Sequence, residues 1–191
     1  MDGLYLNVWD TLRAFKVSTT EFHIARDIIE LIKRARTNTD AALELSRRGL
    51  RKDIDFFDSG ELIKLCRSSP EITAEPFGIA DLTHHYYYQQ DSDCLYKLLR
   101  EDEADALGKG GFGEVVQAIS EKESDQLIAI KIMSAEQREM QVRESGMLTT
   151  VGEAKGGGLV GKEAILIMTM HPGKNLAFAG ATPNQILEEV L

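Results

Sequence analysis

The chain is poor in the residues that mark specialised architectures. Among 191 residues there are two cysteines, four prolines and one tryptophan, and aromatic side chains make up 7%. Cys66 and Cys94 belong to no CxxC or Cys/His cluster, so a disulfide framework and a structural zinc site are excluded. Two free, buried thiols in a reducing compartment are the expectation. No apolar run reaches the ~18 residues of a membrane-spanning helix, and the start Met1-Asp2-Gly3-Leu4 has no basic n-region; no membrane span and a cytoplasmic location follow. Basic residues are outnumbered, 22 against 31 acidic, for a net charge of −9. Binding a phosphate backbone needs clustered Lys and Arg, so nucleic acid is not an expected partner. Internal repeats are absent, and neither a Gly-x-Ser-x-Gly elbow nor an HExxH zinc motif occurs. Asp91-Ser92-Asp93 starts like a calcium loop, but its sixth position is Tyr96 where glycine is required and its twelfth is Asp102 rather than Glu. His84-His85 beside Tyr86-Tyr87-Tyr88 reads as an aromatic helix face, and no metal site is expected.

What is present is an ordinary globular mixture, 43% hydrophobic and 28% charged, in two textures. From Leu4 to about Leu99 the apolar spacing is mostly helical. Leu4, Val8, Leu12 and Phe15 form one stripe, and Ser18 to Glu21 fits a capping box. Ile24, Ile28, Ile29 and Ile32 share one face of the helix that follows. Asp40 to Leu50 reads as another helix, Asp58-Ser59-Gly60-Glu61 as the start of a fourth, and Ile79 to Leu99 as one or two more. The first half is therefore expected to be a helical bundle over 1–100, which must bury those stripes against one another. The acidic stretch Glu101 to Asp105 is the natural seam to a second unit over 101–191.

Beyond the seam, glycines and β-branched runs replace the helical pattern. The segment from Leu107 reads Leu107-Gly108-Lys109-Gly110-Gly111-Phe112-Gly113-Glu114-Val115-Val116. Three glycines at this spacing also suit a dinucleotide-binding turn, but that fold needs a helix directly after them. Here the β-branched, alternating run Glu114 to Ile119 predicts a strand, so the motif reads as strand, glycine loop, strand. Further strands are expected at Ile128 to Ile132 and Ile165 to Ile167, with a helix over Glu136 to Leu148 and a turn at Gly156-Gly157-Gly158.

This arrangement resembles the N-lobe of the eukaryotic-type protein kinase family, over about residues 107–180. The residues that carry the resemblance are the glycine loop with Phe112 and Val115, the Ala129-Ile130-Lys131 strand, the helix bearing Arg143-Glu144, and Leu166 to Leu176, which is similar to the family's fifth strand and hinge. The resemblance implies an α+β chain, an N-terminal helical bundle followed by a lobe made of a twisted antiparallel sheet and one packed helix. It implies ATP as ligand, with Gly108, Lys109, Gly110, Gly111 and Gly113 bringing backbone amides to the phosphates and Phe112 covering the loop tip. Leu107, Val115 and Ala129 would enclose the adenine, Met168 would close the back of its pocket, and backbone groups of Thr169 and His171 would hold its edge. Lys131 would neutralise phosphate charge and pair with a helix glutamate, Glu144 by local pattern, with Glu139 as the second candidate. The implied activity is transfer of the ATP γ-phosphate to protein Ser or Thr hydroxyls with magnesium.

The family's His-Arg-Asp and Asp-Phe-Gly tripeptides, which supply the catalytic aspartate and magnesium ligands, do not occur in this sequence. The expectation is thus the ATP-binding half of a protein kinase lacking its catalytic lobe, with Lys131 and Glu144 as the catalytic residues it would contribute and no metal ligands of its own. The alternative is a non-catalytic interaction or regulatory protein whose helical domain binds a partner protein.

Overall fold

Tyr86-Tyr87-Tyr88 shows what the first half of the chain becomes. Aromatic residues favour extended backbone, and here every one is buried: Tyr86 and Tyr88 on one face of a strand, Tyr87 on the other. The structure, a computed structural model, describes residues 19–48, 50, 56–66, 82, 85–99, 106–111, 113–123 and 127–170. Among the described residues two helices come first, α1 (Thr19–Ala35) and α2 (Thr39–Arg47). The Asn38 side chain caps α2 by accepting the Ala41 amide at 3.0 Å. Four strands follow, β1 (Phe56–Asp58), β2 (Leu62–Leu65), β3 (Tyr86–Gln89) and β4 (Cys94–Leu98). The remaining elements are β5 (Ala106–Gly110), β6 (Gly113–Ser120), β7 (Leu127–Ser134), a 3-10 turn (Ala135–Gln137), α3 (Arg138–Thr150), β8 (Ala154–Val160) and β9 (Glu163–Thr169).

All nine strands belong to one antiparallel sheet in the order β1-β2-β3-β4-β6-β7-β9-β8, with β5 paired to β6 beside β4. Strand β4 joins the two halves, its Tyr96, Lys97 and Leu98 pairing with Ser120, Ile119 and Ala118 of β6. The sheet then curls until β8 faces β2, giving a nearly closed barrel. Side chains bridge the gap. Gln89 Oε1 accepts the Gly157 amide at 2.9 Å, and Lys64 on β2 pairs with Glu163 on β9 at 2.6 Å.

This architecture overturns the expected helical bundle followed by a separate kinase-like lobe. Helices do form at 19–35 and 39–47, but Phe56–Asp58, Leu62–Leu65, Tyr86–Gln89 and Cys94–Leu98 are strands of the same sheet that carries β5 to β9. Asp58 to Glu61 is a hairpin turn, not a helix start: Asp58 Oδ1 accepts the Gly60 amide at 3.0 Å, and Gly60 has φ +85°. Residues 86–89 and 94–98 are strands where a helix was expected, and the reason lies in their burial. A strand covered on both faces loses the apolar–polar alternation by which strands are read, and Tyr86–Gln89 and Cys94–Leu98 are buried throughout. Gly156 to Gly158 lie inside β8 rather than in a turn. A Cβ at Gly156 would sit 2.8 Å from Gln89 Oε1, so the glycines permit the close approach that seals the barrel. The stripes at Leu4 to Phe15, the Ser18 cap, the Glu101 to Asp105 seam and the segment from His171 onward lie outside the described residues.

Two apolar layers hold the sheet. Ala25, Ile28, Ile29 and Ile32 of α1 and Ala41 and Leu45 of α2 pack on Ile63, Leu65, Tyr86, Tyr88 and Leu95, covering the outer face of β2 to β4. Inside the barrel Leu62, Tyr87, Tyr96, Val116, Ile128, Ile130, Val160, Ile165 and Ile167 fill the second layer. Burying each of these large side chains stabilises the fold by roughly 1.5–3 kcal/mol before conformational entropy is set against it. Cys94 is buried among them and Cys66 is half-buried rather than buried as expected, and neither forms a disulfide. Among the described residues, no helix is long and apolar enough to cross a membrane.

Candidate functional site

Strands β5, β6, β7 and β9 turn their other face outward, and α3 lies against it. Cross-strand pairing fixes which residues share that face. Gly108 on β5 and Lys131 on β7 both oppose Val115 on β6, and Leu166 on β9 opposes Lys131 in turn. Ala129 and Met168 form the next pair on the same face, since side chains repeat with period two along each strand. Ala129 and Leu166 are buried; Val115, Lys131 and Met168 are half-buried, at the margin between core and solvent.

The β5–β6 hairpin closes through the pair Gly110–Gly113, so its turn lies two residues, roughly 7 Å, along the strands from the Lys131 row. Gly113 cannot be replaced without strain. Its φ is +114°, and a Cβ there would sit 2.3 Å from the Ile132 carbonyl oxygen. Gly110 and Gly111, by contrast, have open space where a methyl group would sit, with nothing within 4 Å. The backbone of Leu107, Gly108 and Lys109 lies in β5, whose register shifts between Ala106 and Gly108. Phe112 and His171 lie outside the described residues.

Helix α3 presents polar groups to the sheet. Glu144 receives Lys131 Nζ on both carboxylate oxygens, at 2.6 and 2.8 Å. One turn earlier, Gln141 is 3% exposed and donates to the Ile165 carbonyl at 3.0 Å, while Arg138 donates to the Gln141 oxygen at 2.7 Å. Leu148 packs against Met133, Ala164 and Leu166. Positions 141, 144 and 148 follow the helical period, so one face of α3 is fastened by two polar ties and one apolar contact. Glu139 is exposed and lies off that face.

The structure thus brings together Gly108, Val115, Ala129, Lys131, Glu144 and Met168 around one sheet face. Thr169 falls on the opposite face beside Ile128, and its amide N–H donates to the Glu153 carbonyl at 3.0 Å. Two residues at the site were not singled out from the sequence. Gln141 carried no signal, because a glutamine inside a helix is unremarkable until its neighbour is known. Gln137 did carry one: Ser134-Ala135-Glu136-Gln137 has the capping-box spacing at the entry to α3. Its side-chain oxygen accepts the Ser134 amide at 3.2 Å, and its amide nitrogen donates to the Gly111 carbonyl at 3.3 Å.

Among the described residues, no group of three or more His, Cys, Asp or Glu side chains is placed to hold a metal ion. Compared with known proteins, the chain matches no protein-family model and no curated protein.

Proposed function

We propose that this chain binds ATP on the outward face of β6, β7 and β9, as the nucleotide-cradling half of a protein kinase of the Ser/Thr kind. The observation that carries the reading is the Lys131–Glu144 ion pair, 2.6 Å long, on the same sheet face as Val115 and Ala129 and beside a hairpin turn that needs glycine. A triphosphate calls for this combination, a fixed cation together with backbone donors that no side chain obstructs.

In the roles the family resemblance implies, amides of residues 108–113 meet phosphate oxygens and Phe112 covers the tip. Lys131 neutralises phosphate charge, and Glu144 holds the ammonium in place. Leu107, Val115 and Ala129 pack on the adenine, Met168 closes the back of its pocket, and backbone groups of Thr169 and His171 meet its edge. In a complete kinase the bond from the γ-phosphorus to its bridging oxygen breaks, a bond to a Ser or Thr hydroxyl oxygen forms, ADP leaves, and an aspartate takes the hydroxyl proton. The sequence contains neither tripeptide that supplies that aspartate and the magnesium ligands, so no transfer step is assigned to residues of this chain. Magnesium would arrive with the nucleotide, and the described residues offer it no ligand cluster. A cytoplasmic setting suits the free thiols of Cys66 and Cys94.

Titration of the full chain with ATP and magnesium, read by a fluorescent nucleotide and by thermal melting, tests the reading. Saturable binding that Lys131→Met abolishes is the expected result. Absence of saturable binding in the unmodified chain sinks it.

A second reading, a non-catalytic interaction or regulatory protein, draws on the outward face of α3. Val142 and Met147 of the helix and Val151 just beyond its end are 52%, 59% and 67% exposed, separate apolar side chains rather than one stripe, open to a protein partner. No melting shift with ATP, together with no effect of Lys131→Met on partner binding, favours this second reading.

A further inference from the structure

The glycine turn is not left to its own backbone. Gly111 lies at the tip of the β5–β6 hairpin, and its carbonyl oxygen accepts a hydrogen bond from Gln137 Nε2 at 3.3 Å. The same side chain faces the other way as well, with Oε1 accepting the Ser134 amide at 3.2 Å. Ser134 ends β7 and Gln137 precedes α3, so one carboxamide spans the turn, the strand that carries Lys131 and the helix that carries Glu144. Chemistry dictates the orientation of the amide. Turned over, it would set two N–H donors against each other at Ser134 and two oxygens against each other at Gly111. Gln137 is half-buried but Gly111 is exposed, so the bond to the turn is open to water and its hold rests on geometry rather than on shelter.

From this junction we infer that Gln137 is a positioning residue for the phosphate-binding turn: it holds the Gly111 peptide in place, so that the neighbouring amides stay in reach of a triphosphate. The inference rests on the ATP reading given above. Any movement of α3 that breaks Lys131–Glu144 also pulls on the turn through Gln137, which makes helix position and turn order a single variable. The Ser134 bond alone would make Gln137 a helix cap with no bearing on nucleotide.

The test compares the unmodified full chain with Gln137→Met, which keeps the length of the side chain without its amide, and Gln137→Asn, which keeps the amide but is too short for Gly111. Amide hydrogen exchange at 110–114 is measured without ligand, and ATP affinity and melting temperature are measured alongside. Both variants are expected to exchange about tenfold faster at the turn and to bind ATP about fivefold more weakly, one neutral hydrogen bond's worth. Melting should stay within about 3 °C. Unchanged exchange at the turn overturns the inference. So does faster exchange with undiminished ATP affinity, since Gln137 would then order the turn without bearing on nucleotide. If the unmodified chain does not bind ATP, the ATP reading itself fails and takes the nucleotide part of the inference with it; loss of binding in Lys131→Met but not in either Gln137 variant rejects the inference alone.

Discussion

Lys64 Nζ lies 2.6 Å from Glu163 Oε1 across a separation of 99 residues, and the contact joins the two ends of the sheet. Tyr87 adds its hydroxyl to the other carboxylate oxygen at 2.7 Å, and Lys64 Nζ sits 5.4 Å from the centre of the Tyr87 ring. Strand β2 and strand β9 belong to opposite ends of the pairing order, so no backbone ladder links them. The polar triad links them instead, from the barrel's inner side.

Removing one member of that triad should therefore open the seam. Glu163→Ala is expected to cost about 1–3 kcal/mol, because it leaves the largely buried Lys64 ammonium without a counter-charge. Tyr87→Phe removes only a hydroxyl and should cost about 1 kcal/mol. A double-mutant cycle of Lys64→Met with Glu163→Gln in denaturant unfolding checks the pair, and a coupling energy near zero would show that other contacts close the barrel.

Two neighbouring glycines should behave very differently. Gly113→Ala places a methyl group 2.3 Å from the Ile132 carbonyl at a φ of +114°, and at least about 2 kcal/mol of destabilisation is expected. Gly110→Ala meets nothing within 4 Å and should change stability by less than about 0.5 kcal/mol. Urea midpoints of the two variants measure the difference directly.

For the ATP reading, the two helix glutamates separate cleanly. Glu144→Gln weakens the hold on Lys131 and should reduce ATP affinity about threefold to tenfold, whereas Glu139→Gln, exposed and off the packed face, should leave it unchanged. Equal effects in the two variants would mean that bulk charge rather than the Lys131 contact governs binding. The full chain with ATP, magnesium and a generic protein acceptor is expected to transfer no phosphate, since the sequence contains neither His-Arg-Asp nor Asp-Phe-Gly. Phosphorylated acceptor would contradict that.

Acid should loosen the corner where α1 meets the β3–β4 turn. Asp93 Oδ1 accepts from the Tyr88 hydroxyl at 2.6 Å and from Arg26 Nη1 at 2.7 Å, and these two donors hold the Asp93 carboxyl below the usual carboxylate range. Because the folded value is depressed, the stabilisation is fully present above the unfolded value of about 3.9 and fades as pH falls through the lower folded value. Asp93→Asn should cost only about 0.5 kcal/mol at neutral pH, as the side chain is 64% exposed, and should flatten the loss of stability below about pH 4. Asp93 also adopts φ +49°, which Asn tolerates and Ala does not, so Asp93→Ala should cost about 1 kcal/mol more. Melting curves from pH 2 to 7 for the three proteins test both points.

Local signals were legible where a residue's pattern depends on its own element. Ile24, Ile28, Ile29 and Ile32 recur with the helical period and lie on α1, three of them buried. The alternating run after Gly113 forms β6. At the candidate site, the resemblance to the kinase family, not the spacing alone, picked out Lys131 and Glu144 as a pair to consider, and their 2.6 Å contact depends on how α3 packs. That resemblance names neither Gln141 nor Gln137, whose partners Ile165 and Gly111 are 24 and 26 residues away.

What the sequence determined by itself is the set of elements whose period survives in one dimension, together with the glycine at 113 that a positive φ requires. Only the tertiary structure decided that Phe56–Asp58, Leu62–Leu65, Tyr86–Gln89 and Cys94–Leu98 are strands of the same sheet as β6 to β9. Of these, β3 and β4 are buried by α1 and α2 on one side and by the barrel interior on the other, so no exposed face announces a two-residue period there. Glycines 156 to 158 look like a turn in isolation; in the folded chain they are a strand whose missing side chains let Gln89 and Glu61 close the barrel.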